Sequence, residues 1–248
     1  MKQVAIVTGA SSGIGLEVSR TLLKMGYEVF GFGRNFEKTE RELCKPMKNS
    51  GIEPDTVGKF HPIVCDLLDT AALCTKVKQI AAQQEIYVLV NNAGVAYYGL
   101  HEELNPKKIA EMVRINLEVP MVLTQQLLRT LKKNQGHIIQ ISSVTATSSN
   151  PHGCAYGATK AGLLSFSKSL FDEARKYGVK VTTICPDMTE TNLYRNADFT
   201  TAEEIEAHLL PEDVARTVEF ILSQREGMLV SELTLKPQLH RIKRKQVE

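Results

Sequence analysis

Tyr156 and Lys160 stand four residues apart in Tyr156-Gly157-Ala158-Thr159-Lys160, at the start of a strongly helical segment, so the two side chains share one helix face. A phenol beside an ammonium is a proton-transfer pair. An unperturbed phenol near pKa 10 is a poor base at neutral pH, a nearby cation favours the phenolate, and each unit of lowering is worth about 1.4 kcal/mol. The spacing alone says little: 7 tyrosines and 19 lysines in 248 positions give about 0.5 such pairs by chance, and an exposed helix pair is the competing reading. A second group is Thr8-Gly9-Ala10-Ser11-Ser12-Gly13-Ile14-Gly15. Glycines let backbone N–H groups approach a pyrophosphate, and a helix N-terminus adds partial positive charge. The spacing is wider than GxGxxG, and a tight strand-to-helix turn with no ligand is the alternative.

These groups need elements to hold them. Val4–Val7 is a short apolar run, Ile14, Val18, Leu22 and Met25 fall on one helical face, and Tyr27–Phe32 is apolar again, which predicts a βαβ unit. Further strands are expected at Phe60–Cys65, Ile86–Val90, His137–Ile141, Val179–Cys185 and Met228–Leu235, with helical patterns between almost every pair. Seven strands separated by helices imply an α/β fold with a mainly parallel sheet covered on both faces. Asn105-Pro106 reads as a helix cap and first helical residue, and Gly26, Gly136 and Gly178 each follow a helical stretch. No repeat or linker is visible, so residues 1–237 are expected to form one domain, followed by a basic tail over 238–248.

Hydrophobic residues make up 43% and charged residues 23% of the chain, ordinary globular values. Residues 236–248 carry Lys236, Arg241, Lys243, Arg244 and Lys245 against Glu248, a net +4 that leaves the rest of a +2 chain near −2. The body is therefore no polyanion binder, and the tail, with no interleaved aromatic residue, reads as a solvated terminus rather than a nucleic-acid or membrane patch. No stretch nears the eighteen apolar residues of a membrane span, and the N-terminus turns polar too soon for a signal peptide. Five cysteines, Cys44, Cys65, Cys74, Cys154 and Cys185, lack CxxC spacing and predict reduced thiols in a cytoplasmic protein. The six histidines show no metal-ligand spacing, so no metal is expected.

In combination, the glycine loop, Asn91-Asn92-Ala93-Gly94 after the fourth strand, Asn116, Ser142-Ser143 after the fifth strand and the Tyr156/Lys160 pair resemble, in order and spacing, the short-chain dehydrogenase/reductase family in its short single-domain branch. The resemblance runs from about Val4 to Pro237. It implies a Rossmann-type doubly wound sheet and an oxidoreductase that moves hydride between a nicotinamide and a small-molecule carbonyl or secondary alcohol. Tyr156 would be general acid for reduction and base for oxidation, with Lys160 lowering its pKa and holding the nicotinamide ribose. Ser143 would hydrogen-bond the substrate oxygen. Ser142 is the rival, and only one of the two should face the site because alternate side chains on a strand point oppositely. Asn116 would anchor a water in the proton relay. Pro120, four residues on, has no N–H for the Asn116 carbonyl and leaves it free for that water, or merely kinks the helix.

For the cofactor, the resemblance assigns Gly9, Ser11, Ser12, Gly13, Ile14 and Gly15 to the phosphates. Asp66 with Leu67 is assigned to the adenine, Asn91 and Gly94 to the adenine side of the cleft with Asn92 and Ala93 among the cofactor contacts, Pro186 to the nicotinamide carboxamide, and Thr189 and Thr191 to the amide and phosphate side of the cofactor. Gly33 stands where NAD-preferring relatives carry Asp, and Arg34 can pair with a 2′-phosphate, so NADP(H) is expected. One departure is Pro186-Asp187 where the family has Pro-Gly; Asp tolerates left-handed backbone better than most residues, so the turn can survive. Asn192–Leu210 occupies the substrate-lid region, with Tyr194, Phe199, Tyr97, Tyr98 and Cys154 as pocket candidates. A homodimer or homotetramer through helices around Asn105–Lys133 and Tyr156–Tyr177 is a family expectation. A dinucleotide-binding sensor or scaffold is the alternative, and an epimerase on an extended fold is disfavoured by length.

Overall fold

The structure, a computed structural model, describes residues 3–43, 58–239 and 241–245. The first strand, β1 (Val4–Thr8), is buried along all five residues, as an apolar run covered on both faces must be. It leads through the glycine loop into α1 (Gly13–Lys24), then β2 (Glu28–Gly33), α2 (Glu37–Leu43), β3 (Phe60–Val64), α3 (Thr70–Gln83) and β4 (Ile86–Asn91). The second half runs α4 (Pro106–Val113), α5 (Val119–Asn134), β5 (His137–Ile141), α6 (Cys154–Ala174), β6 (Lys180–Pro186), β7 (Phe199–Thr201), α7 (Pro211–Leu222), β8 (Glu232–Leu235) and β9 (Ile242–Arg244).

Seven strands form one parallel sheet in the order β3-β2-β1-β4-β5-β6-β8. The chain winds outward from β1 in one direction and then, starting at β4, in the other. Between β1 and β4 the loops at the carboxyl ends diverge, and a crevice opens there. Each face carries its own core. Leu73, Leu123, Leu127 and Ile138 pack on one side, and Val18, Leu22, Val214 and Val218 on the other. Pro62, which cannot donate to a ladder, sits on β3, an edge strand.

The expected strands are all present within a few residues, and the Asn105 cap is as read, its side chain accepting from the Lys107 N–H ahead of Pro106. The single helix expected over Asn105–Lys133 is instead α4 and α5 joined by a π-turn, Arg114–Glu118, in which the Val119 N–H reaches back five residues to the Arg114 carbonyl. Pro120 removes the next donor, and the widened turn is how the helix accommodates the loss. The C-terminal segment does more than fray: β9 pairs antiparallel with β7, Phe199 opposite Arg244 and Thr201 opposite Ile242. Among the described residues no helix is long and apolar enough to cross a membrane. Cys65, Cys74, Cys154 and Cys185 are free thiols, and Cys44 lies outside the described residues.

Candidate active site

The crevice at the β1/β4 divergence is a cleft of about 270 Å³. Its floor is the glycine loop, interlocked with the loop after β4. Asn92 Nδ2 donates to the Thr8 carbonyl at 2.9 Å, and the Asn92 and Ala93 N–H groups both donate to Thr8 Oγ1 at 3.0 Å. Gly9 and Gly13 take left-handed φ values of 66° and 55°, a region closed to most side chains. A Cβ on Gly15 would lie 2.3 Å from the Gly9 carbonyl oxygen and 2.4 Å from Asn92 Nδ2. The α1 cap residue, Ser12, is extended and its side chain makes no capping bond, so the first N–H groups of a twelve-residue helix face the cleft. A cradle of this kind, closed to side chains and lined with donors, fits a dinucleotide pyrophosphate.

At one end of the cleft, Gly33 and Arg34 leave β2. A Cβ on Gly33 would come within 2.8 Å of the Phe36 ring and 3.1 Å of Ser11 Oγ. A side chain there would press on the Phe36 ring and Ser11, which would have to give way, while Arg34 is exposed beside it and lines the cleft. Asp66 follows β3, its Oδ1 accepting from the Leu68 N–H, with Leu67 buried next to it.

The other end is closed by α6 and the ends of β5 and β6. Tyr156 and Lys160, each 4% exposed, lie on the buried face of α6. The Ser143 hydroxyl hydrogen-bonds Tyr156, whereas Ser142 Oγ donates to the Lys160 carbonyl at 3.0 Å. Strand alternation thus sends Ser143, not Ser142, toward the phenol. Lys160 Nζ donates to the Ile141 carbonyl at 2.8 Å and lies 5.7 Å from the Tyr156 ring centre. Burial dominates both groups. It pushes the Tyr156 phenol well above its ordinary value, with the Tyr194 phenol adding to the rise and the Ser143 bond opposing it, and it pulls Lys160 down to about 8. The anticipated lowering of Tyr156 by Lys160 is not found: burial raises the phenol, and the opposing influence comes from Ser143.

Asn116, 1% exposed, lies behind the cleft rather than in it. Its side chain accepts from the Val95 N–H at 2.9 Å and donates to the Val95 carbonyl at 2.9 Å and to Thr159 Oγ1 at 3.1 Å. It therefore ties the loop after β4 to α6 one residue before Lys160, from a position in the π-turn that keeps its backbone out of regular helix. Of the catalytic and cofactor residues expected from the sequence, Asn91, Asn116 and Gly15 do not line the cleft, the last packed beneath the floor, and of the pocket candidates Tyr194 lines it while Tyr97, Tyr98, Phe199 and Cys154 do not.

Over the opening lies the segment 192–210, its ends tied by the Glu190 N–H to the Leu209 carbonyl and the Leu209 N–H to the Met188 carbonyl, both at 2.8 Å. Tyr194 lines the cleft, and Tyr98 packs between it, Phe199 and Tyr156 at ring separations of 6.3, 4.9 and 6.1 Å. Tyr97 hydrogen-bonds Glu111 at 2.8 Å, and Cys154 is exposed at the start of α6. Glu111 and Arg195 also line the cleft. Sequence reasoning passed over both, because charged residues on a helix and in a polar loop carry no motif.

Comparison with known proteins agrees with this geometry. A family model described as short chain dehydrogenase matches residues 3–201. The chain is 29% identical, over 93% of its length and 93% of the relative's, to a 3-oxoacyl-(acyl-carrier-protein) reductase of Rickettsia bellii. It superposes on an alcohol dehydrogenase from the archaeon Thermococcus sibiricus, complexed with 5-hydroxy-NADP, with a TM-score of 0.82 at 25% identity, covering 97% of this chain and 99% of that one. A metagenomic short-chain oxidoreductase in complex with NADP gives a TM-score of 0.78 at 30% identity, with 96% and 98% covered.

Proposed function

We propose, from the premise that this chain belongs to the short-chain dehydrogenase family and is an NAD(P)-dependent oxidoreductase, that it uses NADP(H) to reduce a small-molecule carbonyl, or to oxidise the corresponding secondary alcohol, with Tyr156 as general acid/base. The observation that carries this reading is the seam at the cleft's closed end: a buried phenol bonded to Ser143, with Lys160 one helical turn away. The bound nucleotide supplies or accepts the hydride.

The chain's own residues handle the proton. With its pKa held up by burial, Tyr156 keeps its proton at neutral pH and meets a substrate oxygen as an acid. Ser143, already aimed at the same phenol, donates to that oxygen as charge develops there. Lys160 brings positive charge to the same spot, and Asn116 holds the loop and helix that frame it. The choice of NADP(H) rests on Gly33, which offers no carboxylate to repel a 2′-phosphate, and on Arg34 beside it. Two solved neighbours carry NADP or its 5-hydroxy derivative, which supports the same choice. Assembly into a dimer or tetramer would use the α4, α5 and α6 faces, where Val113 and Met121 are exposed.

The test is NADPH oxidation against a panel of 3-oxoacyl thioesters, ketosteroids, sugars and small aldehydes, with Tyr156→Phe as control. Turnover of at least one carbonyl is expected, reduced about 10²- to 10⁴-fold by the substitution with NADPH affinity retained. Tight NADPH binding with no turnover anywhere on the panel would favour a sensor instead, and a higher kcat/KM with NADH would overturn the cofactor assignment.

A further inference from the structure

Asp187 is the residue at which the site departs from the pattern it resembles, and the proposed reaction has so far given it nothing to do. It follows the end of β6 and lines the cleft at the end closed by Tyr156, Lys160 and Tyr194. Both of its peptide groups are fixed: the Asp187 N–H donates to the Leu235 carbonyl at 2.9 Å, and its carbonyl accepts from Thr189 Oγ1 at 2.9 Å. One carboxylate oxygen accepts from the Met188 N–H at 2.8 Å. The left-handed backbone anticipated here is absent, since the non-glycine residues with positive φ among those described are Gln135 and His152. Asp187 is thus an ordinary turn residue whose distinguishing property is charge. That charge reaches the Tyr194 phenol, which neighbours Tyr156 in turn.

A nicotinamide that is to exchange hydride with a carbonyl touching Tyr156 would be held in the part of the cleft that Tyr156, Pro186 and Asp187 line. In the reduction, one hydride leaves the ring for the carbonyl carbon and one proton passes from Tyr156 to the oxygen. Ketone, NADPH and a proton become alcohol and NADP⁺, and the ring goes from neutral to singly positive. A fixed carboxylate on the wall stabilises the positive ring and leaves the neutral one nearly unaffected. At the effective dielectric of a partly buried site, a unit charge several ångströms away changes such a ratio on the order of tenfold.

The geometry points to Asp187 as the group that sets the redox poise of the bound nucleotide, favouring NADP⁺ over NADPH and so driving the site toward carbonyl reduction. This rests on the NADP(H) reading above. Reciprocity makes it a binding measurement: whatever stabilises the oxidised ring in the site lowers Kd for NADP⁺ relative to Kd for NADPH by the same factor.

Isothermal titration of the full chain with each nucleotide separately tests it. Asp187→Asn retains an oxygen to accept the Met188 N–H and removes only the charge; Asp187→Gly installs the residue the resemblance leads one to expect, and covers the case in which the Asn variant folds poorly. The expected result is a rise of about tenfold in the ratio of Kd for NADP⁺ to Kd for NADPH in both variants, with thermal melts confirming folded protein. A ratio that stays within about twofold of the unsubstituted protein, or moves the other way, overturns the role of Asp187 while leaving the oxidoreductase reading intact. Failure of the unsubstituted protein to bind either nucleotide overturns both. Binding of NAD⁺ and NADH instead removes only the NADP(H) assignment, and the same ratio measured with that pair then decides on Asp187.

Discussion

The two halves of the cleft are held by different physics. The half made by β1, α1 and the loop after β4 is locked by buried contacts that leave no space: Asn92 bonds the Thr8 carbonyl, and Gly15 sits where any side chain would strike the Gly9 backbone. The half made by residues 192–210 is held from outside. Its strand β7 is three residues long and pairs with β9, and the link between them is supported by Arg241–Glu204 and Lys243–Glu203 ion pairs and by Lys245 Nζ donating to the Tyr194 carbonyl at 2.7 Å. Exposed pairs of this kind hold geometry weakly and are screened by salt. The half proposed to take the phosphates is therefore closely packed, and the half proposed to meet the substrate is held mainly by exposed contacts.

The sharpest way to break the contrast is Gly15→Ala. In the locked half a single methyl meets backbone, not a flexible side chain, and overpacking of that sort costs about 1–3 kcal/mol. For a chain of this size the melting midpoint should fall by roughly 2–4 °C for each kcal/mol, and NADPH affinity, measured by calorimetry, should drop by more than about tenfold as the loop shifts. Unchanged melting and binding would mean the loop is as adaptable as the lid.

A smaller effect belongs to the seam between the halves. Because burial lowers Lys160 to about 8, its charge is present below that pH and lost above it, so kcat/KM for NADPH, which reports the free enzyme, should decline as pH rises through about 8. Stability should move the other way. The unfolded chain keeps the lysine proton to its model value of 10.5, so above about 8 it binds more protons than the folded chain, and this group's contribution to stability grows with pH. Burial raises Cys185 above its model value of 9.0, and that thiol opposes the trend at higher pH, so melting midpoints at pH 8 and 9 are the ones to compare. Loss of activity that tracks loss of folded protein across that interval would remove Lys160 as the cause.

What was legible in the sequence follows the same division. The strands of the parallel sheet and the glycine loop could be read because buried apolar runs and helix caps leave a local pattern, whereas alternation along β5 did not by itself choose between Ser142 and Ser143, and both line the cleft. The π-turn was half visible: Pro120 announced a lost hydrogen bond, but not that the helix would widen before it. The role of the Asn116 side chain depends on Val95 and Thr159, distant in sequence, and no local pattern encodes that meeting. Gly136 read correctly as the end of a helix, yet the left-handed residue there is Gln135, while Gly136 is needed because a Cβ would lie 2.5 Å from the Tyr87 carbonyl oxygen. The pairing of β7 with β9 left no trace at all, since Phe199-Thr200-Thr201 is too short to show a period and its partner looks like a basic tail.

That pairing carries the gentlest prediction. Lys243→Glu places like charges side by side with Glu203 on the outside of the lid, touching neither core nor glycine loop. If the lid is held from outside, amide exchange at residues 199–201 should accelerate on the order of fivefold while the strands of the main sheet exchange as before. Added salt should reproduce part of the effect in the unsubstituted chain by screening the same pairs. The melting midpoint should hardly move, because the substituted pair is exposed and belongs to neither core cluster. Carbonyl substrates should show a raised KM with NADPH affinity little changed, since the lid carries Tyr194 and Phe199 whereas the phosphates are proposed to rest on the glycine loop. An exchange rate that stays put would show that the three-residue ladder, not its charges, holds β7; a fall in NADPH affinity equal to the rise in KM would show that the two halves of the cleft move as one.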